Sequence, residues 1–238
     1  MTPQDHQYVV ITGGNKGIGL SIAKVFSRLS EFRIILIGRN EADLQKAEKV
    51  CLEEGAHYVE TLAMDLVDPD PKVLSYLKTL EITLLINNAG SYLYGSLAET
   101  NKEQFIRQFE LNTLSAYNIT QPLLPQLKKR DHALIVNICS IASLQGFGDS
   151  GAYAMSKHAL IGYTRSLREE LKDDGIGVTA INLGQTWSTS WKDIEVDQND
   201  LIDPEDVGKI ILGLSSLSPR TVAEEINLMP QKGQIPPV

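Results

Sequence analysis

Cysteine is scarce. The 238 residues contain two, Cys51 and Cys139, in no CxxC spacing, which excludes a disulfide scaffold and reads as free thiols in a reducing compartment. Histidine is nearly as rare: His6, His57, His132 and His158 are scattered without ligand spacing, so no metal site is expected. Positive charge is in deficit, with 22 Lys and Arg against 30 Asp and Glu for a net charge of −8, and the one basic run, 128–130, looks like a helix end. Nucleic acid and anionic membrane are therefore excluded as partners, because phosphate binding needs clustered cations. No stretch reaches the roughly 18 apolar residues of a spanning helix. Residues 1–7 are polar and lack the apolar core of a signal peptide, so a cytoplasmic protein is expected. Linkers rich in proline or serine, repeats and low-complexity tracts are missing as well, which favours one domain over 1–238.

What the chain does contain is a succession of apolar, β-branched runs of strand length, at 8–12, 33–37, 58–63, 83–86, 133–139, 178–182 and 225–228. Segments of helical length separate nearly all of them, as parallel strands with crossover helices require. Runs such as Ile34, Ile35, Leu36, Ile37 have no polar alternation, so both faces of the sheet must be covered. The predicted fold is α/β: a single-domain, doubly wound Rossmann fold with a seven-stranded parallel sheet and helices on both faces. Helices are expected over 18–30, 102–129, 150–173 and 204–217, with Asn40 capping the second helix and Asp203 capping the last ahead of Pro204. The least regular stretch, 184–203, follows the sixth strand at the sheet edge where ligands of such folds bind.

Between the first strand and the first helix lies Thr12-Gly-Gly-Asn-Lys-Gly-Ile-Gly19. Glycines there let the backbone turn sharply and approach a pyrophosphate at the positive helix end, which makes Gly13, Asn15, Lys16, Gly17, Ile18 and Gly19 candidate cofactor contacts. Further on, Tyr153 and Lys157 stand four residues apart on one helix face, where an ammonium can support a phenol acting as an acid or base. Ser140 ends the fifth strand, thirteen residues earlier, and its hydroxyl should emerge at the same sheet edge. At the end of the second strand, Ile37-Gly-Arg-Asn40 offers no acid to the ribose hydroxyls, whereas Arg39 and Lys16 supply cations suited to a 2′-phosphate.

The TGxxxGxG loop, the Asn87-Asn-Ala-Gly90 stretch, the serine and the YxxxK pair, in this order, resemble the short-chain dehydrogenase/reductase family over nearly the whole chain. The resemblance implies an NADP(H)-dependent oxidoreductase that interconverts a carbonyl and a secondary alcohol by hydride transfer. It implies a catalytic set of Asn112, Ser140, Tyr153 and Lys157, with Lys157 lowering the Tyr153 pKa and Asn112 positioning a water that links Lys157 to solvent. It also implies that Asn40, Asp65, Leu66, Asn88, Ala89 and Gly90 meet the adenosine half of the cofactor, while Tyr153, Lys157, Thr186 and Ser188 meet the nicotinamide half.

One departure from the family pattern is Leu183, in Asn182-Leu-Gly-Gln-Thr-Trp-Ser188, where proline is usual. A looser turn is expected there, since proline would fix φ. Trp187 and Trp191, with Tyr92, Leu93, Tyr94, Leu144 and Phe147, are candidates for an apolar substrate pocket. Ala152, Ala159, Gly162 and Ser166, beside Met155, Tyr163 and Leu167, form a stripe that permits close helix approach, so a homodimer or homotetramer is expected. The closing segment 219–230 resembles small bacterial carbonyl reductases of the family, sepiapterin-reductase-like ones included. Alternatives are a pteridine or 3-oxoacyl-thioester reductase of the same family, or a catalytically silent protein that senses NADPH.

Overall fold

Seven apolar segments pair as strands in the computed structural model, which describes residues 7–191 and 194–234: β1 (Tyr8–Thr12), β2 (Arg33–Gly38), β3 (Val59–Ala63), β4 (Ile82–Asn87), β5 (Ala133–Ser140), β6 (Ile176–Leu183) and β7 (Glu225–Leu228). They form one sheet in the order β3-β2-β1-β4-β5-β6-β7, and every pairing is parallel. This is the doubly wound architecture expected from the sequence. His6 lies outside the described residues.

Successive strand residues point to opposite faces, and the core divides accordingly. Val9, Ile11, Leu36 and Val136 pack against α1 (Gly17–Leu29), α2 (Glu41–Glu53) and α7 (Pro204–Ser215) through Phe26, Leu44 and Ile211. Val10, Ile35, Leu85 and Ile135 face the other way, onto α3 (Pro71–Leu77), α5 (Ser115–Leu127) and α6 (Gly151–Leu171) through Leu77, Leu123 and Leu167. Burial on both sides is what the unbroken apolar runs required.

Local capping sets where helices begin. Asn40 accepts from the Asp43 amide at 2.9 Å and Asp203 from the Glu205 amide at 2.9 Å, as the sequence predicts. The expected single helix over 102–129 is interrupted. It comprises α4 (Lys102–Phe109), a π-turn over Glu110–Leu114, and then α5. Of the expected interfacial stripe, Ala152 and Leu167 are buried in the core, while Gly162, Ser166 and Met155 face outward. No helix among the described residues is long and apolar enough to cross a membrane.

Candidate active site

Because the strands are parallel, the turns that follow β1, β4, β5 and β6 meet at one edge of the sheet. There they enclose a cavity of about 990 Å3, lined by all four expected catalytic residues, Asn112, Ser140, Tyr153 and Lys157. Ile18, Asn88, Gly90, Thr186 and Ser188 of the expected cofactor set line it too. Gly13, Asn15, Lys16, Gly17, Gly19, Arg39, Asn40, Asp65, Leu66 and Ala89 do not.

Ser140 is the last residue of β5. Its Oγ accepts from the Ala142 amide at 3.1 Å and hydrogen-bonds the Tyr153 phenol, while its own amide donates to Ser143 Oγ at 3.1 Å. Tyr153 sits in the first turn of α6 and Lys157 one turn further on, as the spacing predicts. The Lys157 Nζ donates to the Ile138 carbonyl at 2.9 Å. Burial is the main influence on both groups: it pushes the phenol up to about 12, with the Ser140 hydrogen bond working the other way, and it pushes the ammonium down. A phenol lowered by Lys157 is thus not what the protein alone presents. The ammonium is directed at a backbone carbonyl, and desolvation decides the phenol's pKa.

Asn112 is buried within the π-turn, a helix irregularity that often marks a functional position. Its Oδ1 accepts from the Ser91 amide at 2.8 Å, and its Nδ2 lies within 3.1 Å of the Ser91 carbonyl, Gln108 Oε1 and Ser156 Oγ. The side chain therefore ties the loop after β4 to α6 rather than pointing freely into the cavity.

In the glycine loop, Gly13 has φ +65°, a conformation that side chains disfavour. A Cβ at Gly19 would run into the Gly13 carbonyl oxygen, so the loop folds against its own helix. No side chain caps α1 and no acid lies in its first turn, which leaves its first amides available to an anion. Thr12 fixes the neighbouring loop: its Oγ1 accepts from the Asn88 and Ala89 amides at 2.9 and 3.0 Å and lies 3.3 Å from the Ile86 carbonyl. Asn88 Nδ2 donates back to the Thr12 carbonyl at 2.9 Å.

Along the outer part of the edge, Lys16 and Arg39 are exposed and make no ion pair or side-chain hydrogen bond among the described residues. Asp65 Oδ1 accepts from the Val67 amide at 2.9 Å in a local turn, and Leu66 is buried in the core. After β6 the backbone is held more firmly than the missing proline suggests. Leu183 pairs with Leu228 and with Ser140, the Gly184 amide donates to the Leu228 carbonyl at 2.8 Å, and the Trp191 indole donates to the Thr186 carbonyl at 2.9 Å. The looser turn expected there is corrected: ladder pairing and an indole clamp replace the ring constraint.

Of the candidate pocket residues, Tyr92, Tyr94, Phe147 and Trp191 line the cavity, whereas Leu93, Leu144 and Trp187 do not. Several lining residues escape the sequence reading, among them Asp149, Gln185, Met229 and Gln234. So does the edge-on contact between Tyr92 and Tyr153, whose ring centroids lie 5.0 Å apart at 74°.

The fold, the glycine loop and the Ser-Tyr-Lys edge define a dinucleotide-binding oxidoreductase class. The family model for short chain dehydrogenases matches residues 7–199, and the chain belongs to that family. It is 35% identical to the oxidoreductase YusZ of Bacillus subtilis over 193 residues, which cover 76% of this chain and 67% of that protein. It is 29% identical to the sepiapterin reductase of Chlorobaculum tepidum over 238 residues, covering 95% of this chain and 97% of the relative. Among solved structures, an actinorhodin polyketide ketoreductase crystallised with NADPH superposes with a TM-score of 0.84 at 25% identity, covering 97% of this chain and 98% of the other. The L-sorbose reductase of Gluconobacter frateurii, at 22% identity and TM-score 0.83, shares the fold over 99% of each chain.

Proposed function

We propose that this protein interconverts a carbonyl compound and a secondary alcohol with NADP(H). The observation that carries the reading is the convergence of Ser140, Tyr153, Lys157 and the Asn112 turn on one cavity beside the glycine loop. The residues present fit the cofactor: α1 is uncapped, Gly19 closes the loop against Gly13, and the cations Lys16 and Arg39, unpaired among the described residues, stand beyond it. Lys16 and Arg39 hold the 2′-phosphate, the 13–19 loop holds the diphosphate, and Asn40, Asp65, Leu66 and Asn88 to Gly90 hold the adenosine half. Thr186, Ser188 and Lys157 hold the nicotinamide half. NADPH with a reductase relative's structure supports this choice, as does the lack of an acid at the end of β2.

When bound, NADPH would supply a hydride for the carbonyl carbon. Ser140 and Tyr153 hold the carbonyl oxygen, and the phenol donates its proton as the alkoxide forms. With its pKa pushed up to about 12, the phenol is fully protonated at neutral pH, the state a donor needs. Lys157, one turn along α6, turns its ammonium from the Ile138 carbonyl towards the phenolate left behind, and Asn112 keeps the loop at Ser91 in place. Tyr153 regains its proton from solvent.

The active unit is a cytoplasmic homodimer or homotetramer of a single domain spanning 1–238. Phe105, Ile106, Phe109, Tyr117 and Met155 expose apolar surface on α4, α5 and α6, which supports pairing through that face. The test of the activity is NADPH consumption with a panel of ketones and aldehydes. Turnover of at least one supports the reading; a protein that binds NADPH and consumes none with any carbonyl overturns it.

A further inference from the structure

The cavity wall is uneven in charge. Among the described residues, Asp149 and Lys157 are the only formally charged side chains lining it, and Lys157 is 6% exposed and donates to a backbone carbonyl. The charge that an entering molecule meets is therefore one carboxylate. Asp149 forms no ion pair among the described residues, its one side-chain hydrogen bond there is a long 3.4 Å one from Ser150 Oγ, and its charge lies near the Tyr92 phenol. Its backbone, by contrast, is pinned: the Asp149 carbonyl accepts from the Gly95 amide at 2.6 Å, and Ser150 bridges Gly95 at the start of α6. A partly exposed carboxylate on a fixed backbone, in the turn that leads into α6, has open acceptor capacity at the wall of the site.

Aromatic rings from three separate loops share this wall: Tyr92 and Tyr94 after β4, Phe147 after β5 and Trp191 after β6. Ring faces carry negative quadrupole potential, so they attract cations and flat electron-poor rings and offer nothing to a carboxylate or phosphate. Phe147 stands between Gly146 and Gly148, both with open space where a side chain would be, so its ring can adjust to an occupant.

We propose that the substrate is an aromatic carbonyl compound carrying a protonated amine or ring N–H donor on the side away from the carbonyl, and that Asp149 is the residue that reads that group. The aromatic rings hold the flat body of the substrate. Carbonyl compounds bearing carboxylate or phosphate are rejected by the same carboxylate. This rests on the carbonyl-reductase reading above.

The test compares acetophenone, para-aminomethylacetophenone and para-acetylbenzoate, which differ in charge and little in size, with NADPH at neutral pH. The ratio of kcat/KM for the amine over the carboxylate should be about tenfold or more in the wild type, the scale of one charge-assisted hydrogen bond. Asp149→Asn should bring the ratio below about threefold, and Asp149→Lys should invert it. Binding of the same probes to the NADPH-loaded protein, followed by tryptophan fluorescence, separates the two claims. Amine-selective binding without turnover sustains the subsite and removes the reductase reading. Reduction of acetophenone with no amine preference, a ratio unmoved by Asp149→Asn, or no binding of any probe overturns the subsite.

Discussion

The Lys157 Nζ lies 5.9 Å from the centre of the Tyr153 ring and donates to the Ile138 carbonyl rather than to the phenol. The two side chains are therefore not hydrogen-bonded to each other, and the proposed mechanism makes the phenol the proton donor. Tyr153→Phe should lower kcat at least about 100-fold while NADPH still binds. Steady-state kinetics beside a cofactor titration checks it, and near wild-type turnover would refute the assignment.

Burying that ammonium also bears on stability. Its pKa is pushed down in the folded protein, so Lys157 contributes fully above its unfolded value, about 10.4, and loses that contribution as pH falls through the lowered folded value. At neutral pH the charged lysine is thus a burden. Lys157→Met should give a Tm at or above wild type at about pH 7, with the advantage shrinking towards pH 10, and no activity. Calorimetry of both proteins across that range would expose the opposite trend.

Thr12 offers a contrast, since its hydroxyl is the acceptor for two backbone amides, those of Asn88 and Ala89. Thr12→Val keeps the shape but strands both donors, and it should lower unfolding stability by about 2 kcal/mol or more. Thr12→Ser should recover most of it. Denaturant titration of the pair is decisive, because equal losses in both would point to packing instead.

Cofactor preference should reside in Arg39, which has no competing partner among the described residues. Arg39→Ala should weaken NADPH binding by about tenfold to a hundredfold, on the order of 1.5–3 kcal/mol, and leave NADH nearly unchanged. Introducing an acid at Gly38 would be a poor way to reverse the preference, since a Cβ there would lie 2.9 Å from Asn15 Oδ1. If Arg39→Ala weakens both cofactors equally, the residue does not read the 2′-phosphate.

Pairing of subunits through α4, α5 and α6 should appear as a particle of two or four chain masses in light scattering at micromolar concentration. Tyr117, 47% exposed on that face, is the place to break it. Tyr117→Glu should shift the population towards monomer, and a wild-type monomer would end the proposal.

The strands were legible because runs such as Ile34 to Ile37 carry their own signal: β-branched, apolar and unbroken. Asn40 and Asp203 were legible because a cap is a local bargain between a side chain and an amide two or three residues on. The contacts that were not legible join distant segments. Tyr92 reaches Tyr153 across 61 positions, and Asn112 reaches both Ser91 and Ser156, pairings that no periodicity announces. Leu183 shows the opposite failure. A motif led to an expected weakness that the neighbouring strands, pairing at Ser140 and Leu228, make good.

The π-turn at Glu110–Leu114 gives the long helix an arithmetic of its own. One residue more than the α-helical count is accommodated there, so every side chain before it is rotated by about 100° relative to those after it. Gln108 and Asn112 face the loop at Ser91, while Asn118 reaches the carbonyls of Leu66 and Val67 beyond β3. A regular helix of the same sequence would satisfy one of these sets and turn the other away. Deleting a single residue in this turn would therefore act as a phase error, leaving the helix intact and the site out of step with the sheet that carries it.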